Sequence, residues 1–87
     1  MSEEERSLQH QDFISAILDQ LYLNRRNHEN SHKRDIPYMV YIVNEQLGQL
    51  TKAIADDDFE KAEVEVSHVT AVLYEVYERI LAKKNDN

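Results

Sequence analysis

Two short stretches carry side chains whose types and spacing could do chemistry: Glu45-Gln46-Leu47-Gly48-Gln49 and Glu65-Val66-Ser67-His68. Residues three or four apart share one side of a helix, so Glu45 with Gln49, and Glu65 with His68, form two polar pairs. Carboxylate and carboxamide oxygens suit Mg²⁺ or Mn²⁺, while an imidazole suits manganese, zinc or iron. On a helical wheel Glu65 falls about 60° from the centre of an apolar seam, with His68 on the same flank. A carboxylate so close to a core stripe needs a cation, a hydrogen bond or a base beside it. A purely structural reading is also open, in which Glu65 and His68 pair with each other or with Arg25 at a subunit boundary. A third arrangement places Glu65-x-x-His68 with Glu45 and doubles the set by a two-fold axis, as in di-iron carboxylate bundles.

The elements that must position these residues are helical. One Gly and one Pro in 87 residues, and no alternating β-branched runs between turns, predict an all-α protein of three helices. The first is expected over about 7–24, with Phe13, Ile14, Ile17, Leu18 and Leu21 on one face. A polar loop follows over 25–35. Asp35 caps the second helix, expected over 36–55, and Pro37 fits its first turn. Along it Ile36, Val40, Val43, Leu47, Leu50 and Ile54 recur in steps of four and three, widened by Met39, Ile42 and Ala53. Gly48 interrupts this helix where Gly costs about 1 kcal/mol against Ala, a sign that a backbone or ligand comes close. Asp57 with Glu60 reads as the cap of a third helix over 58–83, whose seam runs Phe59, Ala62, Val66, Val69, Leu73, Val76 and Ile80.

Size and charge narrow the partners. A chain this short makes one domain with a thin stability margin, and the breadth of the apolar faces predicts burial both within the chain and between subunits. Without Cys there is no disulfide frame, thiolate metal site or thiol nucleophile. No apolar run is long enough to span a bilayer and the N-terminus is acidic, so the expected location is the cytoplasm. A net charge of -7 argues against a nucleic-acid duplex as partner. Residues 25–35 depart from this, with Arg25, Arg26, Lys33 and Arg34 set against Glu29 and Asp35 for a local balance of +2. The segment reads either as a solvated loop or as a clamp for an anion such as a triphosphate. Tyr38, Tyr41, Tyr74 and Tyr77 could stack a nucleobase, and interface packing explains them equally well.

The run Asp35-Ile36-Pro37, then Ile42 to Leu50, then Lys52-Ala53-Ile54 resembles the MazG-like all-α nucleoside triphosphate pyrophosphohydrolases. Their signature reads E-E-x-G-E-L on one helix and E-x-x-D on the next. The run Glu65 to Val72 is similar to a phage-associated branch reading E-L-x-Q-V-A-A-V, and the resemblance spans about residues 8–81. It implies carboxylates that hold magnesium against a triphosphate, which water attacks to release pyrophosphate. Position by position, Glu45 keeps the first acid, Gln46 and Gln49 stand at the second and third, Gly48 matches the glycine, Glu65 keeps its acid and His68 stands where Asp is usual.

The expectation is therefore a three-helix chain whose second and third helices build an oligomeric four-helix-bundle core, as a dimer or tetramer. Its implied function is MazG-like nucleotide binding with weakened or lost pyrophosphohydrolase activity. Glu45, Glu65, His68 and Gln49 would hold Mg or Mn, and Arg25, Arg26, Lys33 and Arg34 would contact phosphate. The alternative is a non-catalytic helical module for oligomerisation or partner binding.

Overall fold

The structure, a computed structural model, describes residues 1–27 and 35–86. They form three helices in chain order, α1 (Glu3–Asn27), α2 (Ile36–Ala55) and α3 (Phe59–Asn85), and no strand occurs among the described residues. No helix among them is long and apolar enough to cross a membrane.

Each helix start has a side-chain oxygen on an otherwise orphaned amide. Ser2 Oγ accepts from the Glu5 N–H at 3.1 Å, and Glu3, Glu4 and Glu5 complement the positive end of α1. Ser2-x-x-Glu5 is a capping-box pattern, which is why α1 starts four residues before the apolar periodicity does. At its other end α1 runs on to Asn27, past the expected end at Asn24, whose side chain is tied to the helix by a 3.0 Å bond from Gln20 Nε2 to Asn24 Oδ1. The remainder of the predicted polar loop, 28–34, lies outside the described residues.

At α2 the expected bounds and the observed ones coincide. Asp35 Oδ1 accepts from the Tyr38 N–H at 2.8 Å, and Pro37 sits where its missing N–H leaves nothing unpaired. The helix closes through paired bonds, Asp57 N–H to the Ile54 carbonyl at 3.1 Å and Asp58 N–H to the Ala53 carbonyl at 2.9 Å. That geometry puts Asp57 in the left-handed region at φ 56°, a position usually given to Gly. Asp57 thus ends α2, and the cap of α3 falls one residue later than the sequence suggests. Asp58 Oδ1 accepts from the Lys61 N–H at 3.2 Å. Lys83 and Lys84 complement the negative end of α3.

The three-residue turn folds α3 back along α2, and this antiparallel pair holds the main core: Met39 and Val43 of α2 with Val69, Val72 and Val76 of α3. Helix α1 packs on α3 as well, so α3 is the common partner. On α1 the face is narrower than expected. Leu21 is buried and Ile17 half-buried, while Phe13, Ile14 and Leu18 remain exposed, because only one helix lies against them.

The long seams read from the sequence divide between two faces. On α2 the α3-facing positions are Met39, Val43, Gln46, Leu50 and Ala53, whereas Val40, Leu47 and Ile54 turn outward. On α3 the inward positions are Ala62, Glu65, Val69, Val72 and Val76, whereas Phe59, Val66, Leu73 and Ile80 turn outward. Among the described residues nothing comes close to Gly48, since a Cβ placed there has no neighbour within 4 Å.

The left-handed Asp57 gives a direct test of the turn. Asp57→Gly removes the steric cost of that conformation and should raise unfolding stability by about 0.5–1 kcal/mol in urea denaturation. A loss of stability would mean that the α2–α3 turn is closed in some other way.

Candidate functional site

Toward the α2–α3 turn each of the two helices carries one inward polar side chain. It follows from the register. Gln46 lies one turn on from Val43, Glu65 lies one turn before Val69, and on antiparallel helices both steps lead toward the turn. Small side chains, Ala53 and Ala62, lie on the turn side of them and are buried.

Glu65 is the one buried charged residue among those described, at 6% exposure. Its Oε2 has no hydrogen-bond partner, and neither has the buried Oε1 of Gln46. The nearest base is His68, with Nδ1 3.7 Å from Glu65 Oε2, an ion pair when the imidazole is protonated and too long for a hydrogen bond. The expected flank position of Glu65 is thus replaced by a central one, because α2 packs over the Glu65 side of the seam rather than over its middle.

The four predicted ligand residues do not gather as a set. Glu65 and His68 are neighbours on α3, while Glu45 and Gln49 are exposed on α2. Glu45 has a different partner. Its hydrogen bond with Tyr41 one turn back, together with its negative charge, holds the Tyr41 hydroxyl above the ordinary phenol pKa. Among the described residues no three His, Cys, Asp or Glu side chains form a metal-binding group. Arg25 and Arg26 fall in the last turn of α1, with side chains outside the described part; Lys33 and Arg34 lie outside the described residues altogether. Of the four tyrosines, Tyr74 and Tyr77 pair on α3 with ring centroids 6.3 Å apart.

Two polar residues with buried, unpartnered oxygens stand outside the four predicted ligands. Gln46 is chemically bland, and its signal was positional, a polar side chain one heptad step after Met39. Glu75 sits two turns beyond His68 on the same flank of α3, and its Oε1 is also buried without a hydrogen-bond partner. Two turns are about 10.5 Å of rise, so Glu75 does not share a ligand with Glu65 and His68.

A separate groove of about 370 Å³ runs between α1 and α3, lined by Asp12, Phe13, Ala16, Glu63 and Val66 among others. None of the predicted ligand residues lines it. The chain matches no family model, no curated protein and no solved structure.

Two substitutions probe this geometry. Replacing the carboxylate in Glu45→Gln should move the Tyr41 titration down toward the ordinary phenol range, read from the ring-carbon NMR shift against pH; an unmoved titration would separate the two side chains. Exchanging a buried, unsatisfied carboxylate for an apolar group of similar volume in Glu65→Met should raise unfolding stability by about 1 kcal/mol. A fall would show that Glu65 is already held by a favourable partner.

Proposed function

We propose that this chain is a MazG-like nucleotide-binding protein. In this reading it is an oligomer that holds a nucleoside triphosphate with a divalent cation, and its pyrophosphohydrolase activity is weakened or lost through the substituted acids. One observation carries the reading: the buried Glu65 carboxylate, whose Oε2 lacks a hydrogen-bond partner and lies 3.7 Å from His68. Folding does not bury an unpaired carboxylate without cost, and a bound cation offsets that cost.

The residues present fit such an ion in part. Glu65 and His68 offer an oxygen and a nitrogen close together, and Gln46, on the facing side of α2, has a second buried oxygen without a hydrogen-bond partner. The imidazole favours Mn²⁺ over Mg²⁺. Glu45 and Gln49, exposed on α2, serve this reading only as outer groups toward the bound nucleotide. Bound there, the ion supplies neutralisation of charge on phosphate oxygens. Arg25, Arg26, Lys33 and Arg34 are the phosphate contacts under the same reading, and α2 and α3 form a four-helix core with the helices of another copy.

A second reading is favoured by the outward-facing apolar residues of α2 and α3, namely a helical oligomerisation or partner-binding module without catalysis. Pyrophosphate release separates the two. A panel of nucleoside triphosphates with Mn²⁺ or Mg²⁺ should give slow release, stronger with Mn²⁺ and abolished in a Glu45→Ala/Glu65→Ala double variant. Nucleotide- and Mn²⁺-dependent melting shifts without release would mean binding alone; neither shift nor release would leave the non-catalytic module.

A further inference from the structure

We infer that the groove between α1 and α3 is a binding site for a small organic cation, an ammonium, amidinium or guanidinium group carried on an apolar body. It shares no residue with the proposed nucleotide and metal site, so neither reading depends on the other.

The groove follows from register and residue size. Gln9, Asp12, Phe13 and Ala16 recur at i, i+3, i+4 and i+7, so they share one side of α1. Glu63, Val66 and Ser67 stand at i, i+3 and i+4 and share one side of α3. These two sides bound the cavity of about 370 Å³, room for a compact organic molecule. Farther along α1 the larger Leu21 is buried, whereas at Ala16 and Ser67 the side chains are too small to close the space between the helices.

The chemistry of the two walls selects the ligand. Asp12 on α1 and Glu63 on α3 give each wall an exposed carboxylate, and no Lys, Arg or His lines the groove among the described residues. An anion is repelled there, and the net charge of -7 adds to the attraction for a cation. Because both acids are exposed, the empty groove buries neither charge, and the fold does not need them there.

Apolar surface lies between these charges and the helix axes. Phe13 is 39% exposed and Val66 36% exposed, enough for a hydrocarbon body to rest on, and a cation gains further from the Phe13 ring. A hydrated metal ion gains nothing from either side chain, and the groove belongs to no group of three acidic or histidine donors among the described residues. The Gln9 carboxamide and the Ser67 hydroxyl add neutral acceptors for N–H donors. Length sets the size of the ligand. The α3 wall runs only from Glu63 to Ser67, about 6 Å of rise, which is short of the roughly 10.5 Å over which a docked helix spreads its i to i+7 anchors.

Amide NMR of the native chain, titrated with benzamidine, 2-phenylethylamine and hexylamine, tests this. At least one of the three should shift the Phe13, Ala16, Val66 and Ser67 amides saturably. The neutral counterparts benzamide, 2-phenylethanol and hexanol should bind at least about fivefold more weakly. Asp12→Asn and Glu63→Gln, both at exposed positions, should keep the helical circular dichroism and each weaken the cation by about two- to fivefold, a loss that added salt shrinks. No saturable shift at these amides with any of the three amines overturns the inference, as does equal binding of the neutral counterparts or an affinity unchanged in both variants. A lysine-rich peptide that shifts these amides where all three amines fail also overturns it, giving the groove to a protein partner instead.

Discussion

Met39 and Val43 packed into Val69, Val72 and Val76 is the contact on which the other features depend. It fixes how α2 and α3 are rotated about their own axes, and those two rotations decide everything else that the hairpin presents. With Met39 inward rather than Val40, the heptad positions Val40, Leu47 and Ile54 face out. With Glu65 inward, a carboxylate enters the interior and His68 is carried to its edge. Burial of that size is worth about 1.5–3 kcal/mol per large side chain. The inward polar side chains are therefore placed by the apolar packing.

Much of this architecture was legible from local signals. Asp35 followed by Pro37 marked the start of α2 to the residue, since a cap and a proline each act within one turn. Ser2-x-x-Glu5 was equally local, but it lies outside the apolar periodicity that located α1, so the first turn was lost. The end of α2 misled for a physical reason: three consecutive aspartates offer three possible caps, and which one serves depends on Asp57 entering the left-handed region, a backbone event that no side-chain pattern announces.

Periodicity alone was weaker on the question of faces. A seam read in steps of three and four averages over two stripes one position apart, so Val43 and Val40 were placed together although one is buried and the other is not. The same averaging put Glu65 on a flank. Its central position required knowing how α2 is rotated against α3. Glu45 and Gln49 are exposed on α2, and the Tyr41 contact explains where the Glu45 carboxylate rests. The metal pairs were chosen by chemical type, and type does not report whether two helices turn their ligands toward each other.

The position of α3 between its two neighbours also sets an order of events in folding. Helices α2 and α3 are joined by only three residues, so their contacts close a short loop and lose little chain entropy on forming. Helix α1 has α3 as its main support and buries Leu21 as its only fully enclosed apolar side chain among the described residues. It adds to a hairpin that already holds the main core, and it can separate from that hairpin while the core persists. The molecule thus has two tiers of cooperativity, a durable pair and a lighter third element whose opening uncovers the far side of α3.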